Sequence, residues 1–204
     1  MRRFGMAPAL LAIALSGPAA AEGVDELIAL CEACHGPNGA SEHADVPTIA
    51  GQAPAYFDKT LRAYQIWGRP CIKSSFRYGD TDRPKTDMCQ IAEGLTSEDI
   101  GALAAHFGAQ PFRAAAQAFD PALAETGKGL HEALCESCHH EGGRQTSRAP
   151  RLAGQWTTYL RTALRFVPTG EHLVPPAMET TVSDLGTEDL DALMSFYASQ
   201  QAPD

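Results

Sequence analysis

Two segments of the chain place apolar residues at helical spacing, with polar residues between them. In each segment the apolar side chains recur at steps of three and four residues, which puts them on one face of a helix. They are Ile100, Leu103, Ala104 and Phe107 in the first segment and Leu190, Leu193, Met194 and Tyr197 in the second. Residues 57–64 and 156–164 also have helical spacing, and we find no convincing alternation of the kind that predicts a β-strand. The pattern therefore predicts an all-α fold.

The chain is an internal duplication. The pentapeptide CEACH at 31–35 recurs as CESCH at 135–139, and the segment 47–52 recurs at 150–155. Met88 and Met178 each precede one of the two apolar-striped helices. The two halves therefore share one plan. The first half contains extra residues between its glutamine and its methionine.

Two local signals position the helices of each half. Ser97 and Thr187 are plausible N-caps, because each is followed by two acidic residues that suit the positive end of a helix. Gly23 and Gly127 each lie eight residues before the first cysteine of a pentapeptide. We expect a glycine at this position to let the first helix of each half cross closely against the last.

The C-x-x-C-H motif is the signature of covalent haem c attachment. Two thiols must meet two fixed vinyl groups on one porphyrin, and the adjacent histidine must then lie under the iron. A single copy could also be a zinc or redox motif, but two copies in matching surroundings favour haem. The predicted attachment and proximal residues are Cys31, Cys34 and His35 in the first half and Cys135, Cys138 and His139 in the second.

Each iron also needs a distal ligand, and Met88 and Met178 occupy equivalent places before the last helix of each half. Met194 aligns with Ala104 and lies on an apolar helix face, so it is predicted to be a packing residue. Histidine and methionine ligation raises the haem potential and suits electron transfer. It also fills the sixth coordination position, so no position remains for a substrate.

Two cysteines lie outside the haem motifs, Cys71 and Cys89. In an oxidising compartment two remaining thiols most simply form a disulfide. This bond would hold the segment that delivers Met88. The alternative is that Cys89 is a thiolate ligand of the haem iron, which would suggest sulfur chemistry.

The remaining histidines have no equivalents in the other half. We interpret them as ordinary surface or helix residues. They are His43, His106, His131, His140 and His172.

Residues 1–21 have the pattern of a secretory signal peptide, with Arg2 and Arg3, a short apolar run and a small-residue cleavage site. No other segment is predicted to span a membrane. The whole chain has a net charge of −9, with 16 Lys and Arg against 25 Asp and Glu. Such acidity argues against nucleic acid as a partner, and export suits haem c attachment, so we expect a periplasmic location.

The chain resembles the class I dihaem cytochromes c over its whole mature length. Within that group the second half looks like the cytochrome subunit of flavocytochrome c sulfide dehydrogenase. This closer resemblance rests on FDPALA at 119–124, Gly127, 130–131, CESCHHEGG at 135–143, LAGQW at 152–156, 159–160 and FYASQQ at 196–201. The first half matches at the general level, and its Cys71 and Cys89 segment departs from the pattern.

The resemblance implies two tandem class I cytochrome c domains, at 22–110 and 123–204. The connector between them, 111–122, lacks Gly and Ser, and its composition predicts an ordered, partly helical segment on the surface. It also implies that the carbonyl groups of Pro47 and Pro150 hold the proximal histidine rings. The expected cofactors are two covalently bound haem c groups.

In the flavocytochrome family a separate FAD subunit oxidises sulfide, and the cytochrome subunit passes the electrons to a downstream acceptor. The present chain has no G-x-G-x-x-G segment of a flavin-binding fold, so any catalysis is expected in a partner. Two alternatives stay open. One is a free dihaem carrier that delivers electrons to a terminal oxidase, and the other is a dihaem enzyme that oxidises thiosulfate or acts on peroxide.

Overall fold

A computed structural model describes residues 20–145 and 149–201. Residues 1–19, which make up most of the predicted signal peptide, lie outside this part. The helices of the first half are α1 (Ala20–His35), α2 (Pro54–Gln65), α3 (Met88–Glu93) and α4 (Ser97–Gly108). Those of the second half are α5 (Pro121–Leu134), α6 (His140–Gly143), α7 (Thr157–Arg165), α8 (Pro176–Asp184) and α9 (Thr187–Ser199).

The predicted all-α fold is confirmed for the described part of the chain. Its β-structure is limited to one isolated bridge between Ser74 and Thr86. None of its helices is both long enough and apolar enough to cross a bilayer.

The core of each half lies under the apolar faces that the sequence pattern predicts. In the first half α4 packs on α2, and in the second half α9 packs on α5 and α7. The buried side chains are Phe57, Leu61, Leu95, Ile100, Leu103, Ala104 and Phe107 in one core and Leu160, Leu193, Met194, Phe196 and Tyr197 in the other. Met194 is therefore a packing residue, as predicted.

The close helix crossing predicted from the glycines is present in one half only. At Gly127 a Cβ atom would overlap the carbonyl of Ala192, so α5 and α9 touch backbone to backbone there. At Gly23 a Cβ atom would meet nothing within 4 Å. The prediction for Gly23 was wrong, because the equivalent of the α5–α9 contact does not form at that position of α1.

The helix caps lie one residue earlier than predicted. The N-cap of α4 is Thr96, whose side chain accepts from the backbone N–H of Asp99 while the Asp99 carboxylate accepts from the N–H of Thr96. At α9 the Asp189 carboxylate accepts from the N–H of Gly186. Ser97 and Thr187 are the first residues inside their helices, because an aspartate three residues after Thr96 and Gly186 fixes those residues as the caps.

The connector is ordered but not helical, contrary to the partly helical expectation. Residues 111–120 form no helix or strand and bond to the second half, where Ala115 N–H donates to the Gly154 carbonyl at 2.7 Å. Gln117 donates to the carbonyl of Gln155 and accepts from Thr157. Ala115 is buried, so part of the connector belongs to the packed interior.

The largest difference between the halves is the 70–87 segment, whose counterpart in the second half is only 173–177. It contains no helix. It contacts the haem attachment turn of the first half, which is the turn that contains Cys31, Cys34 and His35. The N–H groups of Arg77 and Tyr78 both donate to the Ala33 carbonyl, at 2.7 and 3.0 Å. Within the segment, the side chain of Phe76 is buried.

Candidate haem centres

The four predicted attachment cysteines lie at the ends of the first helices of the two halves. Cys31 and Cys34 are in the last turn of α1, and Cys135 and Cys138 follow α5 directly. All four are free thiols. Burial, assisted by Cys34 and Glu32, raises the pKa of the Cys31 thiol to about 12. Neither pair forms a disulfide, and both have the spacing that haem attachment requires.

Both predicted proximal histidines are buried and held by a proline carbonyl. His35 Nδ1 lies 2.8 Å from the Pro47 oxygen, and His139 Nδ1 lies 3.3 Å from the Pro150 oxygen. Burial lowers the pKa of both rings, more than these hydrogen bonds raise it. A neutral ring that donates from Nδ1 has its lone pair on Nε2, which is the atom an iron ion needs.

The two predicted distal methionines occupy different environments. Met88 is the first residue of α3 and is half-buried against the core of the first half, on which Cys31 also packs. Met178 is half-buried in α8, a helix with no fully buried residue. The apolar side chains of α8 therefore have exposed surface that a bound haem would cover.

Cys71 and Cys89 form a disulfide with a Cα–Cα distance of 5.5 Å, as predicted. Because the Cys89 sulfur is bonded to Cys71, it is not available as a thiolate ligand in this structure. The bond links the 70–87 segment to α3 one residue after Met88.

A buried cation at the boundary between the halves also fits a haem. Arg69 is only 8% exposed, and its Nε has no hydrogen-bond partner. Its guanidinium lies 5.3 Å from the centre of the Tyr64 ring and donates to the Tyr159 hydroxyl at 3.2 Å. No acidic side chain of the described residues pairs with it. A buried charge is costly unless an opposite charge meets it, and the carboxylates of a haem are such charges.

A buried glutamine side chain from each half forms hydrogen bonds to the backbone of the other half. Gln155 accepts from the Thr48 N–H at 2.9 Å and donates to its carbonyl at 2.8 Å, while Gln52 accepts from the Arg151 N–H at 3.0 Å. Thr48 and Arg151 each follow the proline whose carbonyl holds a proximal histidine. Each glutamine therefore supports the peptide that orients the histidine of the other half.

The interpretation of the remaining histidines as surface or helix residues was wrong for His172, which is neither exposed nor helical, while His131 lies on helix α5 but is not at the surface. His131 is fully buried; its Nδ1 lies 2.9 Å from the Tyr197 hydroxyl and its Nε2 lies 2.9 Å from the Glu136 carboxylate. His172 is buried and bonds to the Ala163 carbonyl. The repeat could not reveal His131, because Leu27 occupies its place in the first half. Its position four residues after Gly127 on α5, facing α9, was the available signal.

Comparison with known proteins identifies the family. The chain is 30% identical to cytochrome c4 of Thiocapsa roseopersicina over 160 residues, which cover 73% of this chain and 71% of that protein. The chain belongs to the cytochrome c4 family. It is also 27% identical to the cytochrome c4 of Azotobacter vinelandii over 82% of this chain and 83% of that protein. The crystal structure of cytochrome c4 from Pseudomonas stutzeri superimposes with a TM-score of 0.68 at 25% identity, covering 88% of this chain and 98% of that chain.

Cytochrome c4 proteins are dihaem class I cytochromes c with two domains, so the predicted pair of covalently bound haem c groups is confirmed. The chain is accordingly a cytochrome c4-like electron-transfer protein. Residues 122–196 also match the family described as cytochrome c oxidase, cbb3-type, subunit III. A further structural neighbour is the thiosulfate dehydrogenase TsdBA of Marichromatium purpuratum, with a TM-score of 0.65 at 27% identity, covering 83% of this chain and 36% of that one.

The cytochrome c4 relationship does not extend to the more specific resemblance. The likeness of the second half to the cytochrome subunit of flavocytochrome c sulfide dehydrogenase stays a prediction. The assignment of individual residues as iron ligands and attachment points also stays a prediction.

Proposed function

We propose that this cytochrome c4 relative is a periplasmic electron-transfer subunit that carries a His/Met-ligated haem in each half. Haem c, when bound, supplies a one-electron redox couple. The observation that carries the proposal is the repeated hydrogen bond from Nδ1 of His35 and His139 to a proline carbonyl. It leaves the same ring atom free for iron in both halves.

Each predicted residue has a defined part. Cys31 and Cys34 attach one haem, and Cys135 and Cys138 attach the other. His35 and Met88 are the axial ligands in the first half, and His139 and Met178 are those in the second. Pro47 and Pro150 hold the histidine rings in place, and Arg69 receives haem carboxylate charge at the boundary between the halves.

The ligand set argues for electron transfer rather than catalysis. Two protein ligands on each iron leave no coordination position for a substrate. Any oxidation of a substrate therefore takes place in a partner protein. This reasoning disfavours the alternative of a dihaem enzyme.

The periplasmic location rests on two features. Residues 1–21 have the pattern of a secretory signal, and the disulfide between Cys71 and Cys89 is a bond that persists in oxidising compartments.

We propose an FAD-containing sulfide dehydrogenase subunit as the electron donor, with a separate redox protein as the downstream acceptor. The support is the resemblance of residues 119–201 to the cytochrome subunit of flavocytochrome c. A thiosulfate-oxidising donor is the second candidate, because the chain resembles part of the Marichromatium purpuratum thiosulfate dehydrogenase. A free carrier that delivers electrons to a terminal oxidase is the remaining alternative.

The ligand assignment is tested on the purified holoprotein. Its mass should show two covalent haems, and its oxidised spectrum should show the weak red absorption of a Met–Fe(III) bond. Met88→Ala and Met178→Ala should each remove about half of that band, because each takes one of two equivalent bonds. Met194→Ala is the matched control and should leave the band unchanged. Loss of the band in Met194→Ala would overturn the assignment.

The donor is tested by anaerobic mixing of the oxidised holoprotein with sulfide or with thiosulfate. Each experiment is run with and without the flavoprotein subunit. Rapid haem reduction by sulfide should require the flavoprotein. Catalytic turnover of either compound by the isolated chain would contradict the proposal. Fast oxidation of the reduced chain by a terminal oxidase, without binding to any flavoprotein, would favour the free carrier.

A further inference from the structure

The two haem attachment turns differ in exposure although their sequences are equivalent. In the second half the residues that flank the turn are open to solvent, whereas in the first half the corresponding residues are covered. Ser137, Cys138 and His140 are exposed, while Ala33 and Cys34 are half-buried and Gly36 is buried. The second cysteine of each motif marks the thioether edge of its haem, so the two thioether edges differ in access.

The 70–87 segment causes this difference in exposure, because it covers the attachment turn of the first half. It bonds to the attachment turn through two N–H groups that share the Ala33 carbonyl, and the Cys34 thiol lies 3.9 Å from the Ser75 carbonyl oxygen. A Cβ atom at Gly36 would lie 3.3 Å from the Tyr78 hydroxyl, so that side chain closes the far side of the turn. The disulfide between Cys71 and Cys89 fixes the segment near both ends.

The segment that covers the first edge contains more basic than acidic side chains, and one of its cations, Arg77, is paired with Asp45. The 70–87 segment contains four cations, and its exposed acidic residues are Asp80 and Asp82, since Asp87 is buried as the cap of α3. The four cations are Lys73, Arg77, Arg83 and Lys85. The Arg83 guanidinium lies over the ring of Phe76, 4.0 Å from its centre.

Acidic side chains outnumber basic ones in residues 131–145, which contain the open edge. Residues 131–145 contain three glutamates against one arginine, Arg144. Glu132 lies in the last turn of α5, and Glu136 accepts from the N–H groups of Glu141 and Gly142 beside the turn. Leu134, 45% exposed, adds an apolar side chain between them. An apolar centre with a charged rim is the composition of a transient protein interface.

We propose that the thioether edge of the second half is the docking face for a redox protein with a basic surface, and that the 70–87 segment closes the same edge of the first half to docked proteins. This inference rests on the proposed attachment of haem at Cys138 and Cys34. Electron tunnelling falls steeply with distance, so a partner must approach an uncovered haem edge. The glutamates of residues 131–145 select a partner of opposite charge.

Docking is mapped with the intact holoprotein and a redox-inactive basic probe, zinc-substituted mitochondrial cytochrome c. Proton NMR should show shifts at the haem methyl groups of the second half and at amides of residues 131–145. The haem methyl groups of the first half and the amides of residues 73–78 should stay in place. Shifts centred on the first half would overturn the proposal.

The charge requirement is tested by stopped-flow oxidation of the reduced holoprotein with iron-containing mitochondrial cytochrome c. The rate should fall as salt is added, because opposite charges attract the two proteins. Glu132→Lys with Glu141→Lys should slow the reaction at low salt by about tenfold or more. The matched control, Glu93→Lys with Glu98→Lys, changes the net charge equally at exposed positions of the first half and should slow it far less. Equal slowing in both variants would overturn the proposal.

Failure of this proposal can be distinguished from failure of the proposed function. The mass of two haems and the Met–Fe(III) band are measured first on the same holoprotein. If either is missing, the haem assignment fails. If both are present and docking maps to the first half, only the docking inference fails.

Discussion

The two halves of the molecule follow one sequence plan but stabilise it differently. The second half brings its first and last helices into backbone contact at Gly127 and leaves its attachment turn exposed. In the first half the equivalent glycine makes no close contact. There the 70–87 segment, fixed by a disulfide, covers the turn. The second half is thus stabilised by a close helix crossing and the first half by a disulfide, although both have the same predicted ligand set.

The same substitution in the two halves should give the largest contrast. Gly127→Ala should lower the free energy of unfolding by about 3 kcal/mol or more, because the new methyl group overlaps the Ala192 carbonyl. Gly23→Ala, the matched control, should be neutral or stabilise by up to about 1 kcal/mol, since alanine is the better helix former. Guanidinium unfolding followed by circular dichroism measures both. Equal losses would show that the crossings are equivalent.

Removing the disulfide should affect the first half alone. The double substitution Cys71→Ser with Cys89→Ser should lower the free energy of unfolding by about 2–3 kcal/mol, because the unfolded chain regains the freedom of a closed loop. The Met–Fe(III) band should then be lost at lower denaturant concentration for the haem ligated by Met88 than for the other haem. A uniform loss across both haems would contradict the view that the disulfide acts locally.

Arg69 and His172 occupy equivalent positions of the two halves, at the boundary between them. Of the two, His172 is expected to make stability depend on pH. Burial, assisted by Arg69, lowers the pKa of His172 to about 4, so the unfolded chain binds a proton that the folded chain does not. Stability should therefore fall as the pH is lowered from 7 to 5, by about 2 kcal/mol from this group. His172→Gln should reduce that slope in urea unfolding at several pH values. An unchanged slope would show that His172 does not titrate on unfolding.

Much of the fold and of the candidate site could be predicted because the signals are local or repeated. The helical stripes, the two C-x-x-C-H motifs and the packing role of Met194 need only short-range spacing and the internal repeat. The disulfide followed from counting the thiols left over. By contrast, the caps were displaced by one residue, because Thr96 and Ser97 are both suitable caps and the position of Asp99 decides between them.

Features that depend on long-range contact could not be predicted. His131 has no repeat equivalent, and its burial depends on where Tyr197 lies in the folded chain. The crossing at Gly127 and the absence of one at Gly23 depend on how each helix pair approaches.

The sequence by itself indicated covalent haem c, because attachment depends on two cysteines and a histidine within five residues, and the internal repeat predicted the distal ligands. It also determined the two-domain all-α fold, because apolar residues at helical spacing occur at equivalent places in both halves. Only the tertiary structure decided which attachment turn is covered, since Ser75, Arg77 and Tyr78 reach Cys34 and Ala33 across more than 40 positions of the chain. Only the tertiary structure paired Gln52 and Gln155 with the opposite halves, because such contacts form when two packed domains bury their polar groups together.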